Sequence, residues 1–218
     1  MEPQFWEGRW RDGRIGFHEG APNAWLVEHV ATLGLSSERR RVLVPLCGKT
    51  VDMAYLAGRG AEVVGVELVD SAARAFFAEA KLEPARTIDG VFVRYEAAGV
   101  EIVVGDFFAL ASEDLGPFDA YYDRASIVAL PPALRETYAH TLKLLAPDAP
   151  GLVVTFEHDA ADGEPPFSVT GAELAALFPE RRFSLLGTRD TLTPESAMAK
   201  RGATFVRESA YAVSTPSR

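Results

Sequence analysis

Apolar positions along this chain fall into two rhythms. Arg41–Leu46 (RVLVPL), Glu62–Leu68 (EVVGVEL), Phe118–Tyr122 and Leu152–Phe156 (LVVTF) are short, nearly continuous apolar runs bounded by charge, glycine or proline. That is the pattern of strands buried on both faces. Val91–Tyr95 and Val100–Val104 flank Ala98-Gly99 and predict a hairpin leading into the same sheet. Between these runs the spacing becomes helical. Trp25–Leu33 places Leu26, Val30 and Leu33 on one side, and Val51–Ala57 is closed by Gly58 and Gly60. Ala72–Ala80 follows Asp70 as a candidate N-cap, and Leu134–Leu145 starts at Pro131-Pro132 and stops before Pro147. Thr170-Gly-Ala-Glu173 is a capping-box signature for a helix through Leu177 and Phe178. Phe183–Thr188 and Ala203–Val213 read as two closing β segments. The alternation predicts a doubly wound, Rossmann-like α/β fold: a seven-stranded, mostly parallel sheet with an antiparallel edge pair and helices on both faces.

Composition narrows the class. With 218 residues, 48% hydrophobic and 24% charged, the chain suits a single domain over residues 1–218. No apolar run approaches the roughly 20 residues of a membrane helix. The opening MEPQFWEGRWRDGRIGFHEG mixes both charge signs without an apolar signal segment, so a cytoplasmic protein without a membrane partner is expected. The single cysteine, Cys47, excludes an internal disulfide and a multi-cysteine zinc site. His18, His29, His140 and His158 lack metal-ligand spacing, and no metal is expected. A formal net charge of −9 opposes a phosphate backbone, while Arg39-Arg40-Arg41 reads as a solvated turn before a strand. A small molecule is therefore favoured over a nucleic acid.

In doubly wound folds ligands bind beyond the carboxyl ends of the strands. Four such ends carry informative residues. Pro45-Leu46-Cys47-Gly48-Lys49 leaves the first strand with a glycine that permits close backbone approach. Glu67 ends the second, where a carboxylate can accept both hydroxyls of a ribose. In Gly105-Asp106-Phe107-Phe108, Asp106 can meet an adenine amino group or cap a helix, and Phe107 can line a ring or pack in the core. Arg124 follows Asp123 at a fourth end, placed either for a ligand carboxylate or acceptor or for a plain salt bridge with Asp123. The G-x-G-x-x-G fingerprint of a pyrophosphate site is absent. A nucleoside ligand lacking a pyrophosphate, S-adenosyl-L-methionine (SAM), fits better than a nicotinamide dinucleotide.

The motifs in order are Trp6-x-x-x-Trp10-x-x-Gly13-x-x-x-Phe17-His18, Val44-Pro-Leu-Cys-Gly-Lys-Thr-Val-Asp-Met53 with Leu56-Ala-Gly-Arg-Gly60 and Val63-Val-Gly-Val-Glu-Leu68, Gly105-Asp-Phe-Phe108, Tyr122-Asp-Arg124 with Val128-Ala-Leu-Pro131, and Pro165-Pro-Phe-Ser-Val169. Together they resemble the thiopurine S-methyltransferase family over roughly residues 5–213. The resemblance implies that residues 1–40 form a flap and helix over the active site. It implies that Trp10 covers the cofactor, that Leu46, Gly48 and Glu67 contact it, and that Asp106 and Phe107 flank adenine. Arg124 would lie near the methionine end, Trp6 and Phe17 would close over cofactor and acceptor, and Phe17 would touch the acceptor. There are departures. Pro194–Gly202, arginine-rich in the family, offers only Lys200 and Arg201; Glu164 stands where glycine is common; Ser126 replaces a small apolar residue.

The implied reaction needs neither metal nor covalent intermediate. A thiol ionises near neutrality, and a cation such as Arg124 or Lys200 would favour the thiolate. Cys47 is read as packing, and His18 as part of the flap rather than a base. The expected activity is SAM-dependent methylation of a small aromatic or heterocyclic thiol by a monomer. The alternatives are selenium, tellurium, halide or thiocyanate acceptors, a non-catalytic SAM-binding protein or, more distantly, a nicotinamide oxidoreductase.

Overall fold

The computed structural model describes residues 3–35, 40–161 and 163–215. In chain order the elements are α1 (Pro3–Arg11), α2 (Ala24–His29), β1 (Arg41–Val44), α3 (Asp52–Ala57), β2 (Glu62–Glu67), α4 (Asp70–Glu79), β3 (Ala85–Asp89), β4 (Phe92–Ala97) and β5 (Val100–Val104). They continue with α5 (Ser112–Leu115), β6 (Ala120–Arg124), α6 (Pro132–Leu145), β7 (Gly151–His158), α7 (Gly171–Leu177), β8 (Arg182–Asp190), α8 (Ala197–Lys200) and β9 (Val206–Ser214).

All the strands join one sheet in the order β3-β4-β5-β2-β1-β6-β7-β9-β8. The five central strands, β5 through β7, run parallel, so β1 is flanked by β2 and β6 and the switch point lies at its carboxyl end. The sheet has nine strands, not the expected seven, and antiparallel pairs lie at both edges rather than one. β3 is the strand that none of the predicted β segments covers. Its sequence, ARTID, is exposed throughout and carries no apolar alternation, so only its pairing with β4 makes it a strand.

Period-two alternation assigns each strand residue to a face. On one face Leu43, Val64, Tyr121 and Val153 meet Tyr138, Leu142 and Leu145 of α6 and Leu174 of α7. On the other, Val42, Val44, Val63 and Tyr122 meet Trp25 and Leu26 of α2, Met53 and Leu56 of α3, and Phe76 and Phe77 of α4. The predicted helices hold with local changes. The segment from Trp25 tightens to a 3₁₀ turn over Val30–Leu33. Val69, not Asp70, occupies the N-cap position of α4 and makes no side-chain cap bond; Asp70 stands in the first turn, where it accepts from the Tyr95 hydroxyl at 2.8 Å and pairs with Arg74. Thr170 caps α7 as expected, while Glu173 reaches Arg135 on α6 instead of its own cap. Arg39 lies outside the described residues. Arg41 is no solvated turn: it opens β1, pairs with Glu62 and donates to the carbonyls of Leu115 and Pro117. Among the described residues no helix is long and apolar enough to cross a membrane.

Candidate active site

A cavity of about 610 Å³ opens where β1, β2, β5 and β6 end, within the roughly 300–1,000 Å³ common for small-molecule sites. Its floor is the turn leaving β1. Leu46 (φ 46°) and Gly48 (φ 56°) both take the left-handed conformation, as does Ala125 (φ 62°) just after β6. For a non-glycine residue that costs about 1–2 kcal/mol and needs compensation from the surroundings. At Gly48 glycine is required twice. A Cβ there would lie 3.3 Å from Trp10 Cζ2 and 3.7 Å from Phe17 Cε2 as well as being strained.

Glu67, the last residue of β2, is 7% exposed. Its Oε2 accepts from the Gly48 amide and its Oε1 from the Val69 amide, each at 2.8 Å. Burial pushes this carboxyl up to about 7, and the amides of Val69, Gly48 and Leu68 offset only part of that. A carboxylate offers about four acceptor positions. The two oxygens, each holding one amide, therefore retain capacity on the cavity side for a pair of neighbouring hydroxyls.

The roof comes from the N-terminus. Trp6 and Trp10 sit four residues apart on α1 and so share a face. Phe17 returns between them, edge-on, with centroids 6.1 Å from Trp6 and 5.9 Å from Trp10. The following strap is bolted to the sheet. Arg124 Nη1 donates to the Phe17 carbonyl at 2.6 Å and Nη2 pairs with Glu19. Asp52, 1% exposed, accepts from the Asn23 amide at 2.7 Å and from the Tyr122 hydroxyl at 2.9 Å. Arg124 forms no salt bridge with Asp123. That carboxylate takes the Tyr138 hydroxyl at 2.7 Å and the Ile127 amide at 3.2 Å, and burial pushes it up to about 6. Arg124 Nε is buried and has no hydrogen-bond partner among the described residues, although Arg124 lines the cavity.

Trp6, Trp10, Phe17, Leu46, Gly48, Glu67, Asp106, Phe107 and Arg124 all line this one space; Lys200 does not. Lys200 is exposed at the end of α8, and its neighbour Arg201 faces the cavity in its place. Asp106 is exposed and caps a 3₁₀ turn by accepting from the Phe108 amide. Phe107 is 1% exposed and stacks in the core against Tyr138 at 5.3 Å, so the half-buried Phe108 is the freer ring at this wall. Cys47 is buried, and burial followed by the charge of Glu67 pushes its thiol up, which keeps it protonated and inert. Ser126 has a structural use: its hydroxyl donates to the Pro45 carbonyl at 2.6 Å, tying β6 to the β1 turn. Sequence reasoning missed Arg9, one turn from Trp6 on α1 and part of the cavity wall. The i, i+3 spacing was a legible signal.

A family model described as thiopurine S-methyltransferase matches residues 1–215. The chain is 43% identical over 214 residues to the thiopurine S-methyltransferase of Pseudomonas fluorescens (strain SBW25), covering 97% of this chain and 98% of the relative. It is 42% identical, over 97% of each chain, to the enzyme of that name from Pseudomonas syringae pv. tomato. This chain belongs to the thiopurine S-methyltransferase family. The fold has wider relatives. A SAM-dependent methyltransferase from Anabaena variabilis superposes with a TM-score of 0.65 at 15% identity, over 98% of this chain and 94% of its own. The 1,6-didemethyltoxoflavin-N1-methyltransferase of Burkholderia thailandensis, solved with bound S-adenosylhomocysteine, gives 0.59 at 18% identity over 98% and 87%. Membership in the family agrees with the order of motifs from Trp6 to Val169.

Proposed function

We propose that this protein methylates the sulfur of a small aromatic or heterocyclic thiol within the cavity, with Glu67 and Trp10 holding the nucleoside of SAM. Its family makes it a SAM-dependent methyltransferase of thiol-like small molecules. The observation that supports the site assignment best is the convergence of Glu67, the glycine turn and the α1 tryptophans on one space. The residues fit the cofactor: a buried carboxylate with acceptor capacity to spare, a turn with no Cβ at Gly48, and an Arg124 Nε that has no hydrogen-bond partner among the described residues and suits a carboxylate. When bound, SAM supplies a methyl group already activated on a sulfonium.

Three tasks remain for the chain itself. Trp6, Trp10 and Phe17, packed edge-on against one another, exclude water and border the acceptor. Orientation of this kind is worth about 7–11 kcal/mol in favourable cases. Arg124 in the cavity wall favours the acceptor as a thiolate, so no general base is assigned and the thiol proton goes to solvent. Phe108, Leu134, Phe156 and Met198 supply apolar wall that a halide or a small oxyanion would leave uncovered, which favours an organic acceptor. We further propose that residues 1–218 act as one domain with residues 1–40 as its cover, working as a cytoplasmic monomer. Light scattering on a sizing column tests the oligomeric state.

Incubation with methyl-labelled SAM and a panel of aromatic thiols tests the activity. Labelled thioether together with S-adenosylhomocysteine is the expected result. Tight SAM binding without label transfer to any thiol would make this a binding protein instead.

A further inference from the structure

One part of the cavity wall carries a charge arrangement that methyl transfer does not itself require. Three ionisable side chains line it: Arg9 from α1, Glu164 from the loop after β7, and Arg201 beyond α8. Arg9 Nη1 lies 3.0 Å from Glu164 Oε2, and the partners differ sharply in exposure, 12% for the arginine side chain and 56% for the glutamate. The cation is therefore set into the wall while the carboxylate reaches it from solvent. Arg201 donates to the Ala161 carbonyl at 2.9 Å and approaches Met198 Sδ at 3.6 Å; among the described residues no carboxylate pairs with it. Glu164 and Arg201, with Ala161 and Gly163, also line a second hollow of about 310 Å³. The two residues thus stand between that outer hollow and the main cavity.

We propose that the Arg9–Glu164 pair is a selectivity gate for acceptor thiols that carry an anionic substituent, whose carboxylate replaces that of Glu164 on Arg9 with Arg201 as the second cation. The inference rests on the proposed function and adds the class of acceptor. Glu164 already demonstrates that a carboxylate reaches Arg9 in a hydrogen-bonding geometry. Its own hold is weak, because a pair with one exposed partner contributes about a one- to fivefold preference. An incoming carboxylate displaces it at little cost and meets two guanidinium groups; a cationic acceptor that displaced it would meet the same two with the wrong sign.

The test compares kcat/KM for 4-mercaptobenzoate, 4-mercaptobenzamide and 4-(aminomethyl)benzenethiol at saturating SAM. In the wild type the order anion, neutral, cation is expected. Glu164→Gln removes the competitor without removing bulk, and the anion-to-neutral ratio is expected to rise about threefold. Arg9→Gln is expected to lower the ratio about tenfold, through KM rather than kcat. A ratio that stays within about twofold in both variants, or a parallel change for all three thiols, makes the pair a structural tie and overturns the gate. A wild type that methylates none of the three defeats the proposed function instead. In that case benzoate against benzamide binding, followed by tryptophan fluorescence, still decides: a benzoate preference lost in Arg9→Gln supports the gate, and one retained overturns it.

Discussion

At position 67 a single carboxylate is asked to brace a turn and to receive a ligand. Its two backbone donors are fixed by the β1 and β2 ends, so removing it strands the Gly48 and Val69 amides as well as any bound ribose. Glu67→Ala is expected to weaken SAM binding by about 1–3 kcal/mol in a calorimetric titration. Because burial holds this group near 7, its ionised form grows in over the neutral range, and SAM affinity is expected to rise from pH 6 to pH 8. Glu67→Gln should flatten that rise. Gly48→Ala brings both strain and contact with Trp10, and we expect at least about 1 kcal/mol lost in urea denaturation together with weaker SAM binding. Both positions were legible in the sequence, since an acid and a glycine that follow apolar runs mark strand carboxyl ends, where the cavity lies. Phe107 and Phe108 were not distinguishable. Adjacent residues in a tight turn point in different directions, and nothing local says which ring meets the core.

Among the elements, α1 and its strap depend on tertiary contacts that no local pattern announces. The strap holds Phe17 over Gly48 through Arg124, Glu19 and the Asp52–Asn23 bond, partners that lie 29 to 107 residues apart in the chain. Glu19→Ala is expected to raise hydrogen exchange across residues 14–22 and to lower kcat/KM, while exchange in β1 and β2 stays protected. Equal loosening of strap and sheet would mean that the Glu19 contact braces the whole fold. The same dependence on context explains a misplaced residue and a missed strand. Where α8 ends, a one-residue step turns a side chain by about 100°, which separates exposed Lys200 from Arg201 at the C-cap, facing the cavity. β3, with every residue exposed, has no hydrophobic rhythm to read and exists because β4 offers it an edge. The central strands and the helices covering them were legible because burial on both faces forces continuous apolar runs.

For the whole molecule, buried acids link stability to pH. Glu67 is raised from 4.5 to about 7 and Asp123 from 3.8 to about 6, so the folded state holds these protons more tightly than the unfolded chain. Their contribution is fully present below pH 4, and is lost as pH rises through about 6 and 7. Relative to Glu67→Gln, the wild type is expected to lose up to about 3 kcal/mol of unfolding free energy between pH 4.5 and pH 7. Parallel stability profiles for the two proteins would remove Glu67 as the source. The fold places Glu67 where the five parallel strands end, beneath the α1 roof, in the cavity assigned to SAM. A crystal structure with S-adenosylhomocysteine examines that assignment most directly. The ribose hydroxyls are expected within hydrogen-bonding distance of Glu67, with the Trp10 indole over the nucleoside; an adenosyl group bound elsewhere, or Glu67 keeping only its backbone partners, would contradict it.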